Sequence, residues 1–281
     1  MRIFYEPRAL QKEILALRGR GRRIALVPTM GNLHEGHVSL VREAVRNSDT
    51  VIVSIFVNPT QFAPNEDFAA YPRTFEDDQA MIAAVAPDAI IFCPDTAAMY
   101  APDASVWVDE MALSTSLCGR ARPGHFRGVC TVVTKLFHIA LPDLAFFGQK
   151  DAQQALIIRR MVRDLDFPIE IVVLPTVREP DGLAMSSRNR FLSPGDRAKA
   201  PALYAALAKA ETLVRADRTL EAKAVRTGIV DAIMGLGGVI DYVEVLSSDT
   251  LMPVENCTTA LLIALAYKFG PTRLLDNVVI Q

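Results

Sequence analysis

The stretch IALVPTMGNLHEGHVSLVREAV, residues 24–45, decides the fold because it joins a strand pattern to a helix pattern through a glycine-containing loop. The run at 24–27 is entirely apolar, as a buried strand requires. After the loop, apolar residues recur at helical spacing, at Val38, Val41, Ala44 and Val45. Between them lie His34 and His37, two of only four histidines in the chain.

The same alternation of strand and helix patterns continues along the first two-thirds of the chain. Further strand patterns are TVIVSIFVN (50–58), AIIFCP (89–94), LAFFGQ (144–149) and IEIVVLP (169–175). Helix patterns cover 74–86, where Thr74 and Asp77 form a capping arrangement, 128–141 and 151–165. The alternation predicts an α/β fold with a doubly wound, Rossmann-like parallel sheet.

The pattern changes near residue 177. Two alanine-rich helix patterns, 193–217 and 219–234, precede strand patterns at 239–248 and 258–269. We therefore predict two domains, a Rossmann-like catalytic domain at 1–176 and a smaller α+β C-terminal domain at 177–281.

Composition excludes several classes of protein. The 281 residues are 51% hydrophobic and 22% charged, with a net charge of −2 and no basic block, which argues against a nucleic-acid partner. The four cysteines lack CxxC spacing and are typical of reduced core residues. The N-terminus has no signal-peptide pattern and no apolar run is long enough for a membrane span. We expect a cytoplasmic protein.

The unusual polar residues follow the predicted strands. Ligands of open parallel sheets bind beyond the carboxyl ends of the strands. The loops there are PTMGNLHEGH (28–37), NPTQFAPNEDFAAYPRT (58–74), GQKDAQQ (148–154) and TVREPDGLAMSSRN (176–189). These four loops are the candidate site.

The histidine pair allows a zinc site, a phosphate site or coincidence. Zinc-binding helices of the HExxH type space their histidines four apart, whereas here the spacing is three and no third ligand is nearby. Gly31 and Gly36 allow close backbone approach, and a helix starting near His37 directs its N–H groups at an anion. We favour phosphate.

The segment MSSRN (185–189) supplies two hydroxyls and a guanidinium, a suitable set for a triphosphate. Together with HxGH it resembles the nucleotidyltransferase superfamily that includes class I aminoacyl-tRNA synthetases. Adding VNPTQFAPNEDFAAYPRT (57–74), RPGHFRGV (122–129), FFGQKDAQQ (146–154) and DGLAMSSRN (181–189), the chain resembles the pantoate–β-alanine ligase family. Gln149 stands where glutamate is usual, and Ala152 where an aromatic residue is usual.

The resemblance implies a two-step reaction. ATP and pantoate give pantoyl adenylate and pyrophosphate, and β-alanine then displaces AMP to form pantothenate. ATP is a substrate, used with Mg²⁺, and the enzyme is a homodimer. His34, His37, Lys150 and Arg188 are the implied catalytic residues. The implied ATP site comprises Met30, Gly31, Asn32, Leu33, His34, Glu35, Gly36, His37, Gly148, Gln149, Lys150, Asp151, Val177, Met185, Ser186, Ser187 and Arg188.

Other residues have less specific implied roles. Gln61 and Gln154 hold pantoate, since an amide supplies both a donor and an acceptor. Asp77 and Asp78 bind Mg²⁺ or simply complement the dipole of their helix. The three residues Arg122, His125 and Arg127 close over the site or support an interface.

Two other functions remain open at this point. A nucleotidylyltransferase acting on a phosphorylated acceptor would share HxGH but would not need the amide-rich PTQF and DAQQ loops. A non-catalytic nucleotide-binding module would bind ATP without releasing pyrophosphate. A class I tRNA synthetase is disfavoured because the chain is short and lacks a basic anticodon-binding region.

Overall fold

The computed structural model describes residues 1–63, 66 and 68–281. Pro64, Asn65 and Asp67 of the predicted NPTQFAPNEDFAAYPRT loop lie outside the described residues. By its internal contacts the chain forms two compact units. The first comprises 1–148 and 153–175, and the second comprises 149–152 and 176–281. Each unit is described by itself below.

The first unit contains a six-stranded parallel sheet, which confirms the predicted doubly wound fold. The strand order is β1-β4-β3-β2-β5-β6, and every pair is parallel. The strands are β1 (Arg2–Phe4), β2 (Ile24–Thr29), β3 (Thr50–Ile55), β4 (Ile90–Phe92), β5 (Leu144–Gly148) and β6 (Glu170–Leu174). Strand β1 was not predicted, since three residues at a sheet edge are too few to show a period.

Helices cover both faces of this sheet. They are α1 (Pro7–Arg18), α2 (Glu35–Asn47), α3 (Phe75–Val85), α4 (Thr96–Met99), α5 (Leu117–Ala121), α6 (His125–Ala140) and α7 (Ala152–Asp164). Short 3-10 turns lie at Pro59–Gln61 and Leu113–Thr115. Val41 and Ala44 of α2 are fully buried against the sheet, as their spacing predicts. Val45 is not part of that buried stripe, because it lies in the last turn of α2 and is 42% exposed.

Two predicted helix starts need correction. Helix α2 begins at Glu35 with His34 as its N-cap, not near His37. Thr74 precedes α3 as expected, but its side chain makes no cap bond to the helix backbone. Its hydroxyl instead donates to Oδ1 of Asp78 at 3.3 Å, so the predicted capping arrangement with Asp77 is wrong.

The second unit packs helices on a three-stranded antiparallel sheet in the order β7-β8-β9. The predicted helix at 193–217 divides at Pro201, which has no N–H to continue the helix from the preceding turn. The helices of the second unit are α8 (Pro194–Lys199), α9 (Pro201–Ala216) and α10 (Ala222–Ile233). The strands are β7 (Val239–Ser247), β8 (Leu261–Phe269) and β9 (Thr272–Ile280). Short 3-10 turns lie at Gln149–Asp151, Ser187–Phe191 and Met234–Leu236.

Strand β9 was not predicted, and it matters for the site. Leu274, Val278 and Ile280 point into the core formed with α9 and α10. Because side chains alternate along a strand, Asn277 lies on the opposite face of the sheet. No helix among residues 1–63, 66 and 68–281 is both long and apolar enough to cross a membrane.

Candidate active site

The parallel sheet of the first unit places its predicted nucleotide loop at the switch point of the strand order. Strand β2 lies between β3 and β5, so the chain leaves β2 in the crevice where doubly wound sheets bind ligands. The loop after β2 starts at Met30 and ends at His34, and Gly148 closes the neighbouring strand β5. These positions were predicted as part of the ATP site.

A buried carboxylate holds the backbone of this loop. Gly31 and Asn32 both have positive φ angles, 79° and 51°. Asn32 N–H donates to Oδ2 of Asp78 at 2.9 Å, and Leu33 N–H donates to Oδ1 at 2.7 Å. A Cβ atom on Gly31 would lie 2.9 Å from Oδ2 of Asp78, so glycine is needed both for its φ and for its size.

The two histidines form a reciprocal cap on α2. Nδ1 of His34 accepts from the N–H of Gly36 at 3.1 Å, and Nδ1 of His37 accepts from the N–H of His34 at 3.3 Å. A ring nitrogen that accepts carries no proton, so each neutral ring bears its proton on Nε2. The ring centroids are 4.1 Å apart. Two imidazole N–H donors therefore stand side by side at a helix N-terminus.

The acids of α3 do not form a closed metal site. Asp78 is 1% exposed and both its oxygens accept hydrogen bonds from the loop, while Asp77 is exposed. Among the described residues no three His, Cys, Asp or Glu side chains are grouped as metal ligands. The contacts of Asp78 suit a structural anchor for the nucleotide loop, and the role of Asp77 and Asp78 in binding Mg²⁺ stays a prediction.

Gln61 lies in direct contact with the nucleotide loop. Its Nε2 donates to Sδ of Met30 at 3.0 Å, and its Oε1 accepts from Nδ2 of Asn58 at 3.2 Å. Asn58 is 1% exposed and receives a hydrogen bond from the hydroxyl of Tyr100 at 2.9 Å. Burial raises the pKa of Tyr100, with a smaller opposing effect of its hydrogen bond to Thr60, so this hydroxyl stays protonated and donates.

The backbone of Gln61 is held by Arg122, the residue after α5, and by His125, the first residue of α6. Nδ1 of His125 lies 2.9 Å from the carbonyl oxygen of Gln61, and Nη2 of Arg122 donates to the same oxygen at 3.2 Å. Arg122 also binds both carboxylate oxygens of Glu66, at 2.6 and 2.7 Å. Burial tends to raise the pKa of Glu66, but the hydrogen bond and charge of Arg122 outweigh it and hold that pKa below its usual range. Arg122 and His125 thus support the predicted pantoate residue.

Three further residues of this region are Gln153, Gln154 and Arg127. Gln153 is 5% exposed and is used by the fold, because its amide binds Cys118 N–H and the carbonyls of Leu113 and Ser116. Gln154, its neighbour in α7, is half-buried. The guanidinium of Arg127 lies 5.2 Å from the ring of Trp107.

In the second unit, the predicted phosphate residues line one cavity. Lys150, Ser186 and Arg188 face it together with Asn189 and residues of β9. Within the described part of the chain, neither the ammonium of Lys150 nor the guanidinium of Arg188 has a hydrogen-bond or ion-pair partner. Two cations at one cavity, without a partner among the described residues, suit an anion, and the phosphate role of Lys150 and Arg188 stays a prediction.

The loop that carries Arg188 is braced from within. Met185 N–H donates to the carbonyl of Val177 at 2.9 Å, which ties the predicted adenine residue to the predicted phosphate segment. Asn189 donates to Glu179 at 2.6 Å and to the carbonyl of Ala184 at 3.1 Å. The hydroxyl of Ser186 accepts from the backbone N–H of Arg188 at 3.2 Å. Asp151, in the separate turn Gln149–Asp151, is exposed.

Several residues of the site were missed from the sequence. They are Asn58, Glu66 and Tyr100 around Gln61, and Asp276 and Asn277 on β9. Asn58 and Glu66 lie in the predicted loop 58–74, but neither had a predicted role of its own. Nothing local marks the other three, because each acts through a partner far along the chain.

Comparisons with known proteins show the family of the chain. The family model described as "Pantoate-beta-alanine ligase" matches residues 2–279. The pantothenate synthetase of Moorella thermoacetica is 52% identical over 274 residues, covering 97% of this chain and 96% of that protein. That of Thermotoga neapolitana is 49% identical over 282 residues, with both chains covered completely.

Solved structures give the same result. Pantothenate synthetase from Thermus thermophilus has a TM-score of 0.92 and 39% identity, with 99% of each chain covered. A pantoate-beta-alanine ligase from Francisella tularensis, solved in complex with beta-gamma ATP and beta-alanine, has a TM-score of 0.79 and 33% identity, covering 99% of this chain and 97% of that one. The chain belongs to the pantoate–β-alanine ligase family.

Proposed function

We propose that this enzyme joins pantoate to β-alanine at the expense of ATP, through a pantoyl-adenylate intermediate, releasing pyrophosphate and then AMP. The observation that carries the proposal is the match to the ligase family over residues 2–279, with the predicted motif residues present. The carboxylate oxygen of pantoate attacks the α-phosphorus and the bond to pyrophosphate breaks. The amine of β-alanine then attacks the acyl carbon, loses a proton, and AMP leaves with the acyl–oxygen bond electrons.

The first unit supplies side-chain hydrogen-bond donors for the first step. His34 and His37 donate from Nε2 to phosphate oxygens, whose negative charge grows as pyrophosphate leaves. Gln61, in contact with Met30, holds pantoate beside the nucleotide loop, and Gln154 is its second amide. The remaining loop residues, Gly31 to Leu33 with Glu35 and Gly36, line the nucleotide site.

The second unit supplies positive charge. Lys150 and Arg188 bind the β- and γ-phosphates, and Ser186 and Ser187 donate hydroxyl hydrogen bonds. Val177 packs near adenine, Met185 lines the same loop, and Asp151 binds the ribose hydroxyls. The absence of an ion-pair partner for Lys150 and Arg188 among the described residues supports these roles.

Three further parts of the proposal rest on the family resemblance. Mg²⁺ would neutralise phosphate charge when bound, with Asp77 and Asp78 as its candidate protein ligands. The enzyme acts as a homodimer, which sedimentation velocity at micromolar concentration tests directly. It works in the cytoplasm, in keeping with four cysteines that remain thiols.

The reaction products test the proposal. Enzyme with ATP, Mg²⁺ and pantoate alone should release one pyrophosphate per site and retain pantoyl adenylate. Adding β-alanine should then give pantothenate and AMP without more ATP. Pyrophosphate that appears only with β-alanine would contradict the order of steps, and ADP with phosphate would contradict attack at the α-phosphorus.

The two other functions predicted from the sequence are not favoured. A nucleotidylyltransferase would keep AMP or CMP on its product, and a binding module would release nothing. Neither accounts for an amide side chain, Gln61, held against the nucleotide loop by Asn58, Arg122 and His125.

A further inference from the structure

A side chain of β9 binds the turn that carries Lys150. Asn277 is 3% exposed, and its Nδ2 donates to the carbonyl oxygen of Gln149 at 2.9 Å and to that of Lys150 at 3.0 Å. A side-chain amide has two donor hydrogens, and this turn uses both. Two consecutive carbonyls held by one nitrogen fix the peptide planes on either side of Lys150.

The unusual residue of this turn completes the contact. Nε2 of Gln149 lies 3.4 Å from Oδ1 of Asn277, where it donates to the acceptor half of the same amide. Glutamate, the residue expected here from the family, has no donor when ionised. The substitution of glutamine therefore adds a weak bond between Gln149 and Asn277 that glutamate would not make.

Strand β9 is itself held rigidly at this point. Asp276 is 4% exposed and makes a bidentate ion pair with Arg178 at 2.7 and 3.0 Å. It also accepts from the N–H of Asn277 at 2.8 Å. The guanidinium of Arg178 stacks on Tyr204, 3.4 Å from the ring centroid. A fixed strand is a suitable base from which to position a turn.

We propose that Asn277 is a positioning residue that sets the backbone of Lys150 and so directs its ammonium into the cavity lined by Ser186 and Arg188. The inference rests on the proposed role of Lys150 in binding phosphate. Asn277 does not touch the nucleotide and acts only through Lys150. Its loss therefore affects the use of ATP only while the Lys150 side chain is present.

A double-mutant cycle tests this dependence. We expect Asn277→Ala to lower kcat/KM for ATP by about tenfold to a hundredfold, the loss typical of removing an outer support of a binding group or displacing it by up to 1 Å. In the Lys150→Ala background the same substitution should cost less than about twofold, because the group it positions is gone. Pantoate KM at saturating ATP should stay unchanged.

Val278→Ala is the matched control. Val278 is the next residue of β9, is 5% exposed, and packs in the core on the other face of the sheet. The substitution should lower Tm at least as much as Asn277→Ala while leaving kcat/KM for ATP within about twofold, since it leaves the carbonyls of the turn bound. Asn277→Asp has a side chain of equal size without donors, so it should lower kcat/KM for ATP as much as Asn277→Ala does. The aspartate variant takes the place of the alanine variant if the latter fails to fold.

Each outcome has a distinct meaning. Equal losses from Asn277→Ala in the wild-type and Lys150→Ala backgrounds would overturn the positioning role, and so would a Val278→Ala enzyme as impaired as Asn277→Ala. A fully active Lys150→Ala enzyme would instead reject the phosphate role of Lys150, and the inference with it. An impaired Lys150→Ala enzyme with additive losses rejects the inference alone.

Discussion

Replacing Gly128 with alanine should destabilise the protein and impair its use of pantoate. Helix propensity alone would predict a more stable protein. Gly128 lies inside α6, where alanine is favoured over glycine by about 1 kcal/mol. A Cβ atom there would lie 2.6 Å from the carbonyl carbon of Thr60 and 2.7 Å from the nitrogen of Gln61. Backbone atoms of another segment fill the space that alanine needs.

The size of the effect follows from these distances. The carbonyl oxygen of Thr60 would lie closer still to the new Cβ, so the turn carrying Gln61 must retreat by about 1 Å to reach ordinary contact at 3.4 Å. Overpacking of this kind costs about 1–3 kcal/mol, which exceeds the gain in helix propensity. Because a displacement of 1 Å at a substrate-positioning group costs up to about 100-fold, kcat/KM for pantoate should fall by about 10- to 100-fold.

The assay is pyrophosphate release at saturating ATP with varied pantoate, alongside thermal unfolding. Gly228→Ala is the control, because Gly228 lies inside α10 and nothing lies within 4 Å of its added Cβ. That variant should be stabilised by up to about 1 kcal/mol with unchanged kinetics. A Gly128→Ala enzyme that is stabilised like Gly228→Ala and retains its kcat/KM for pantoate would refute the reasoning.

Three further predictions concern the nucleotide side of the site. His34→Asn should keep its cap on α2, since asparagine is a good N-cap, so its free energy of unfolding should stay within about 0.5 kcal/mol of the wild-type value. The single-turnover rate of adenylation should fall by about 10²–10³-fold, because the imidazole donor is lost. A near-normal rate would reject a phosphate role for His34. Asp78→Asn should cost about 1–3 kcal/mol in unfolding free energy, because one backbone N–H of the loop loses its acceptor. This variant should also raise KM for ATP without changing the dependence of activity on Mg²⁺ concentration. Glu76→Gln, at an exposed acid of the same helix, is the control. A shifted Mg²⁺ dependence of Asp78→Asn would favour a metal-binding role for Asp78. Arg188→Lys should not restore wild-type kcat/KM for ATP, since lysine lacks the planar fork, and full activity in steady-state kinetics would rule out a bidentate contact.

Much of the sheet could be read from the sequence because its strands carry long apolar runs. Strands β2, β3 and β5 are buried, and Ser54, itself fully buried, is the one polar residue inside the apolar runs 24–27, 51–57 and 144–147. The predicted loops were recognisable for the same reason, since polar residues gather where the apolar runs end. The roles of the site residues, which rest on the resemblance, stay predictions, although Gln61 does contact Met30.

What the sequence did not indicate is which residues hold the site residues in place. Asp78 looked like a member of a first helical turn and Gln153 had no predicted role, yet both side chains bind backbone groups of distant segments. Asn277 belongs to a strand whose pattern was missed, and its partners are 127 and 128 positions away. Such pairings depend on tertiary contacts, which spacing along the chain does not encode.

The assignment of Gln149–Ala152 to the second unit has a consequence for recombining this enzyme with its relatives. The transferable module is discontinuous in the gene, because the four codons that follow β5, the last of them for the first residue of α7, belong with those for 176–281. A chimera exchanged only at residue 176 would join one parent's Asn277 to the other parent's turn. Where the two do not match, an amide left without its carbonyls costs about 1–3 kcal/mol. Crossovers that carry 149–152 together with 176–281 should yield a larger fraction of active hybrids.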